Sequence, residues 1–189
     1  MRFITDQLLS ELKQLTERHL QLAEEWKNLP EELKHSRPKS GGWNMLECLE
    51  HLNLYGDYYL AVIQSAIGES KYPSSPVFRS GIIGNWFTNM MKPGPKMKKM
   101  KTFKDKNPEG KALPLSVMDR FSDQQHRLLR LLEAASQTDL TKVKTPISIS
   151  RFIRLRLGDT LRFVVYHNQR HIEQAERVLA ESGASLQPA

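Results

Sequence analysis

Proline placement constrains this chain more than any other feature. The ten prolines fall at Pro30, Pro38, Pro73, Pro76, Pro93, Pro95, Pro108, Pro114, Pro146 and Pro188, with long proline-free blocks between them. A proline inside a helix costs about 3 kcal/mol, because it lacks the N–H and its ring clashes with the preceding turn. Any long helix therefore has to lie within those blocks. In the first, Leu8, Leu12, Leu15, His19, Leu22, Trp26 and Leu29 alternate steps of four and three. That spacing predicts an amphipathic helix over about 2–29, stopped by Pro30.

A second helix is predicted from Asn44 to about Gly68. Asn44 is a good N-cap, and Glu47 stands three residues on, the arrangement of a capping box. The charged and amide positions Glu47, Glu50, Asp57 and Gln64 share one limited arc, so most of this helix is apolar and belongs inside a bundle. A third helix is expected from Pro114, a favoured first-turn residue, to about Ser136. A fourth is expected from a Gly158-Asp159 cap to about Ser182-Gly183. Residues 70–113 read as loop-rich, with Gly81 to Met91 as one helical stretch. Ile153, Leu155 and Leu157 alternate with Arg154 and Arg156, a two-residue period that points to extended chain or a short helix. No sheet and no internal repeat are evident. The expected fold is an all-α four-helix bundle, one domain over residues 1–189, with a long irregular crossover between helices 2 and 3.

Charge narrows the functional classes. The formal net charge is +7 over 189 residues. Between Lys92 and Lys111 stand eight lysines against Asp105 and Glu109, while the rest of the chain carries 20 basic and 19 acidic residues. A uniformly basic nucleic-acid-binding surface is thereby excluded. Lys96 to Lys106, with Met97, Met100 and Phe103, offers a contact for nucleic acid, anionic lipid or an acidic partner. A solvated loop is the simpler reading, and no nucleic acid and no membrane partner are expected. The single cysteine, Cys48, excludes an intrachain disulfide framework and any multi-cysteine metal site. No apolar stretch reaches membrane-spanning length. The N-terminal residues lead directly into an amphipathic pattern, unlike a signal peptide, so a reduced, cytoplasmic protein is expected.

The histidines carry the chemistry. His167 and His171 are four apart on the last predicted helix, so both rings project from one face and can share a metal ion. They flank an apolar stripe of Leu161, Val164, Val165, Ile172, Ala175 and Leu179. Two imidazoles pointing into the bundle there must be either hydrogen-bonded to neighbours or ligating. His51 is the best third ligand, stacked by helical spacing with Glu47, Tyr55 and Tyr58; a capped or half-exposed histidine is the other reading. Three neutral imidazoles suit Zn²⁺ or Ni²⁺ with coordination positions left open. His19 replaces a leucine in the first helix's stripe and reads as a core residue. His35, in a polar loop, and His126, off the stripe of helix 3, read as solvated.

Two stretches resemble a known family. Gly-Gly-Trp-Asn-Met-Leu-Glu-Cys-Leu-Glu-His-Leu (41–52) is similar to the helix start of the DinB/YfiT-like superfamily, and Tyr-His-Asn-Gln-Arg-His-Ile-Glu-Gln (166–174) to its closing signature. The resemblance implies an up-down-down-up bundle, commonly a homodimer, with a divalent metal on His51, His167 and His171. Asn44 stands where many relatives have serine and keeps the capping role. Relatives include metal-dependent transferases and isomerases that use low-molecular-weight thiols such as bacillithiol and mycothiol, and others labelled hydrolases. The expected activity is transfer of a thiol's sulfur to a small electrophile. Hydrolysis by a metal-bound water and a non-enzymatic metal-binding domain are the alternatives. The absence of a His-Glu-x-x-His motif weighs against a zincin-like hydrolase. Glu47, Tyr55 and Arg170 are the candidate catalytic residues, with Gln174 beside them at the site rim.

Overall fold

The computed structural model describes residues 1–94 and 101–183. Its elements, in chain order, are β1 (Arg2–Ile4), α1 (Thr5–Lys27), α2 (Glu31–His35), α3 (Met45–Gly68), β2 (Val77–Arg79), α4 (Ile82–Met91), a 3₁₀ turn (Lys104–Lys106), α5 (Ser116–Ala135), β3 (Lys144–Ile147), β4 (Ser150–Arg156) and α6 (Leu157–Glu181). The all-α bundle expected from the sequence is present, built on α1, α3, α5 and α6. The lysines Lys96, Lys98 and Lys99, with Met97 and Met100, lie outside the described residues.

Side-chain pairs establish the helix directions. Arg120 bonds Glu50 and Asp57, Gln124 bonds Asp57, and Arg127 bonds Gln64, so α3 and α5 run parallel. Glu11 with Tyr166 and His19 with Gln169 make α1 and α6 parallel. Lys13 with Glu133 and Lys27 with Asp119 make α1 antiparallel to α5. The topology is therefore up-down-down-up. Each of α1 and α3 packs against both α5 and α6. One apolar cluster surrounds Leu12, Leu60, Ile63, Leu132 and Leu161; a second surrounds Trp26, Met45, Leu49, Phe121 and Leu179.

Two boundaries, the short helix α2 and the sheet content differ from expectation. α1 begins at Thr5 because Arg2–Ile4 pair antiparallel with Val77–Arg79, Phe3 stacking on Phe78 at 5.8 Å. β3 and β4 form an antiparallel hairpin with an irregularity at Pro146/Ile147. The described residues thus carry two small two-stranded sheets where none was expected, though the alternation over 153–157 did point to extended chain. α6 starts at Leu157, without a side-chain cap, so Gly158-Asp159 is its first turn and not its cap.

Asp159 is drawn elsewhere. Its carboxylate accepts hydrogen bonds from the Ser80 hydroxyl and from the Gly81 N–H (2.8 Å), and it pairs with Arg162 at 3.2 Å. Both members of this pair are almost fully buried, Asp159 at 0% and Arg162 at 1% exposed. Arg162 also donates to Asn85 Oδ1 at the start of α4 and lies over the Phe3 ring. Gly84 makes the approach of α4 possible: a Cβ there would stand 2.4 Å from Asp159 Cγ. Gly158 does the same for β2, since a Cβ would stand 2.6 Å from the Phe78 ring. Among the described residues no helix is long and apolar enough to cross a membrane.

Candidate metal centre

The site begins with the start of α3. Asn44 Oδ1 accepts from the Glu47 N–H at 2.8 Å, and Glu47 Oε2 accepts from the Asn44 N–H at 3.0 Å. This reciprocal pair satisfies two of the donors that a helix start leaves open. Glu47 Oε1 accepts from Arg37 Nη2 (2.6 Å) and from the Gly110 N–H (2.7 Å). The buried carboxylate therefore ties the helix start to the crossover segment. One turn on, His51 Nδ1 meets the carbonyl oxygen of Lys106 at 2.7 Å.

That contact decides the tautomer. A carbonyl only accepts, so Nδ1 carries the hydrogen and Nε2 is a bare lone pair. His51 Nε2 faces His167 Nε2 at 3.2 Å; either a proton on His167 or a metal ion has to lie between them. His171 sits one turn beyond His167 on α6, its Nδ1 held by Gln174 Oε1 at 3.0 Å, which turns its Nε2 to the ligating role in the same way. Ligand atoms of the three histidines lie within 4.8 Å of one another. A tetrahedral ion with Zn–N bonds of about 2.0–2.1 Å places its nitrogens about 3.3 Å apart. Both the donor set and its spacing fit a divalent ion.

Electrostatics favour the same conclusion. Burial pushes the His51 imidazole down to about 4. Burial, then the neighbouring His51, pushes His171 down to about 3, and burial holds His167 well below the usual range. All three are neutral at pH 7, the form that ligates. The rings are held by aromatic walls: Trp43 packs on His51 (4.7 Å) and His171 (5.6 Å), Tyr55 on His51 (5.0 Å) and His167 (4.7 Å), and Phe163 stacks on His167 (5.6 Å). The site lies where the two apolar clusters of the bundle meet, Trp43 belonging to one and Phe163 to the other.

The sequence pattern of the DinB superfamily matches residues 6–175, spanning both histidine-bearing helices. The chain belongs to the DinB superfamily. No curated protein and no solved structure matches it.

In this DinB chain the candidate catalytic residues have different surroundings. Tyr55 lies against two of the three histidines, and burial raises its hydroxyl to about 12, so it stays protonated at neutral pH. Arg170 donates to the Met90 carbonyl at 3.1 Å and lines a polar cleft with His171, Gln174, Arg177, Lys101 and Glu109. Glu47 has both carboxylate oxygens engaged by the helix cap, Arg37 and Gly110. His19 is buried, its Nε2 2.7 Å from Gln169 Oε1. His35 closes the short helix α2, where a polar loop was expected, and His126 is exposed.

Sequence reasoning missed three parts of the site. Trp43 and Phe163 were readable as hydrophobic residues but not as walls, although Phe163 stands four before His167. The Lys106 carbonyl has no sequence signal, because any residue supplies a carbonyl.

The buried histidines predict acid lability of the metal-free protein. Burial lowers His19 to about 4 from its ordinary 6.5, so the unfolded chain takes up the proton first as pH falls. The contribution is whole above pH 6.5, is lost between 6.5 and 4, and changes no further below that. For His19 alone it is about 3 kcal/mol, with His51 and His171 shifted the same way. Urea unfolding of metal-free protein at pH 7 and pH 4.5 should show a loss of that size or larger; equal midpoints would contradict it.

Proposed function

We propose that this DinB protein is a metal-dependent enzyme that transfers the sulfur of a low-molecular-weight thiol to a small electrophile, with Zn²⁺ or Ni²⁺ held by His51, His167 and His171. The observation that carries this reading is the set of neutral imidazoles aimed at one point from α3 and α6, with His51 and His171 fixed in tautomer by Lys106 and Gln174. A divalent ion on neutral ligands keeps its full charge and lowers the pKa of a thiol or water beside it.

The chain's own residues then have distinct tasks. As the carbon–sulfur bond forms and the bond to the leaving atom breaks, the Tyr55 hydroxyl donates a proton to the leaving atom and recovers one from solvent. The thiol's own proton goes to solvent. Arg170 and Arg177, in the cleft beside His171, favour a thiol that carries carboxylates. Glu47 is committed to the helix start and serves as a positioning residue, which weighs against it as the base for hydrolysis. The cytoplasm, where small thiols stay reduced, is the compartment this chemistry requires.

The test is an electrophile-consumption assay with and without added thiol on Zn- and Ni-loaded protein. Turnover should require thiol. Tyr55→Phe should lower it on the order of 100-fold, the usual weight of a positioned general acid, with metal content unchanged. Thiol-independent turnover would replace transfer by hydrolysis, and metal that only holds the fold, with no turnover, would make the site structural. The proposal includes a homodimer. α4 leaves Ile82, Ile83 and Trp86 exposed at 93%, 57% and 57%, apolar groups for a second copy to cover. Sedimentation should show a dimer that Ile83→Glu with Trp86→Glu dissociates.

A further inference from the structure

A cavity of about 80 Å³ lies next to the histidine site, separated from His167 by the Tyr55 and Phe163 rings. Tyr55 and Tyr59 of α3, Phe87 and Met90 of α4 and Phe163 of α6 form its walls, and the tip of the β3–β4 hairpin, Ile147 to Ile149, closes one side. Tyr55 and Phe163 are shared walls, since both pack on the His167 ring. Few polar groups belong to the lining: Tyr59 and Ser148 share a hydroxyl–hydroxyl bond of 3.3 Å, and the Tyr55 hydroxyl is the proton donor of the reading above, while the neighbouring Tyr58 hydroxyl donates to the Ile147 carbonyl at 3.0 Å. These bonds also pin the hairpin tip to α3, so the cavity is preformed. At its mouth Phe103 and Ile149 are each 52% exposed, apolar groups left in water. The cleft at His171 is opposite in character, with Arg170, Arg177, Lys101 and Glu109 in its walls.

We infer that this cavity seats an apolar group of the electrophile, a short alkyl chain or the edge of an aromatic ring, while the polar cleft admits the thiol. The assignment rests on the metal-site reading above and adds to it the substrate class. A cavity lined by aromatic, aliphatic and methionine side chains, with only the Tyr55 hydroxyl uncommitted, favours hydrocarbon over charged or multiply hydroxylated groups. The two partners would then approach the histidines from chemically distinct sides, which excludes exchanging one for the other.

Two binding measurements test it. In the first, metal-free protein is titrated with toluene and followed by NMR. Shifts confined to residues such as Phe87, Met90 and Phe163 are expected, and no response overturns the inference. In the second, Zn-loaded protein is titrated calorimetrically with aceto-, butyro- and hexanohydroxamate, whose common head group binds an open zinc. Affinity should rise about fourfold per methylene, the worth of about 0.8 kcal/mol for each one buried. Phe103→Asp with Ile149→Asp should flatten the series while leaving acetohydroxamate binding unchanged; both residues are half exposed, so the fold tolerates them. A flat series in the wild-type protein overturns the cavity assignment even though the metal site stands. Failure of acetohydroxamate itself to bind overturns the metal reading, and the toluene experiment decides the cavity separately.

Discussion

His51→Ala and His171→Ala proteins are expected to purify with little or no divalent metal, whereas the wild-type chain holds about one ion. Each substitution removes one of three nitrogens brought within 4.8 Å of each other, and two imidazoles alone leave an ion mostly hydrated. The loss should exceed the 10–100-fold that follows removal of an outer hydrogen-bond partner. Gln174→Leu supplies that comparison on the same helix, because it removes only the acceptor that orients His171. The ordering His171→Ala below Gln174→Leu below wild type, measured by metal content and competition with a chelator, is specific to a ligand set. Equal metal in all three proteins would refute the site. Circular dichroism should show all of them helical, since the bundle's apolar clusters surround the site without depending on it.

Asp159→Ala should be the most destabilising single substitution outside the core. It leaves the Arg162 guanidinium, 1% exposed, without its carboxylate, and breaking a buried pair from one side costs about 3–5 kcal/mol. The Gly81 N–H and the Ser80 hydroxyl lose their acceptor as well. At about 2–4 °C per kcal/mol for a chain of this size, the melting temperature should fall by about 10 °C. Replacing both partners, as in Asp159→Ala with Arg162→Met, should recover a large part of the loss, because the charge then no longer needs compensation. A double variant no better than the single one would show that the hydrogen bonds to Ser80 and Gly81, and not the ion pair, carry the stability. Since Asp159 is where α4 and β2 are held to α6, the single variant should also loosen Phe87 and Met90.

Much of this arrangement was legible in the order of residues, for reasons that are local. A 3.6-residue apolar period and excluded prolines locate α1, α3 and α5, and the Asn44–Glu47 cap sets the start of α3 to the residue. The spacing of His167 and His171 fixes their shared face regardless of what else the chain does. The strands were not legible because pairing is decided by the partner: Arg2–Ile4 is a three-residue segment that becomes a strand only when Val77–Arg79 lies beside it. Asp159 looked like a cap for its own helix and instead pairs with Arg162 one turn on and answers to Ser80 and Gly81, groups brought near by tertiary folding. The orientation of His51 by a carbonyl from residue 106 belongs to the same class, a non-local contact made by a group every residue possesses.

The parallel course of α3 and α5 has a consequence for where chemistry can occur in such a bundle. Had neighbouring helices all alternated in direction, short turns at the two ends would have sufficed, and the flank beside His51 would have faced bulk water. With both helices pointing the same way, the chain must travel back along the length of the bundle before α5 can begin, about 36 Å for a helix of 24 residues. That obligatory return passes the histidines, and it is this stretch that supplies Phe87, Met90, Phe103, the Lys106 carbonyl and the Gly110 amide. The enclosure of the site is thus a by-product of connectivity: the topology demands a long detour, and the detour is available as a replaceable outer wall whose side chains can be rewritten while its backbone goes on orienting His51.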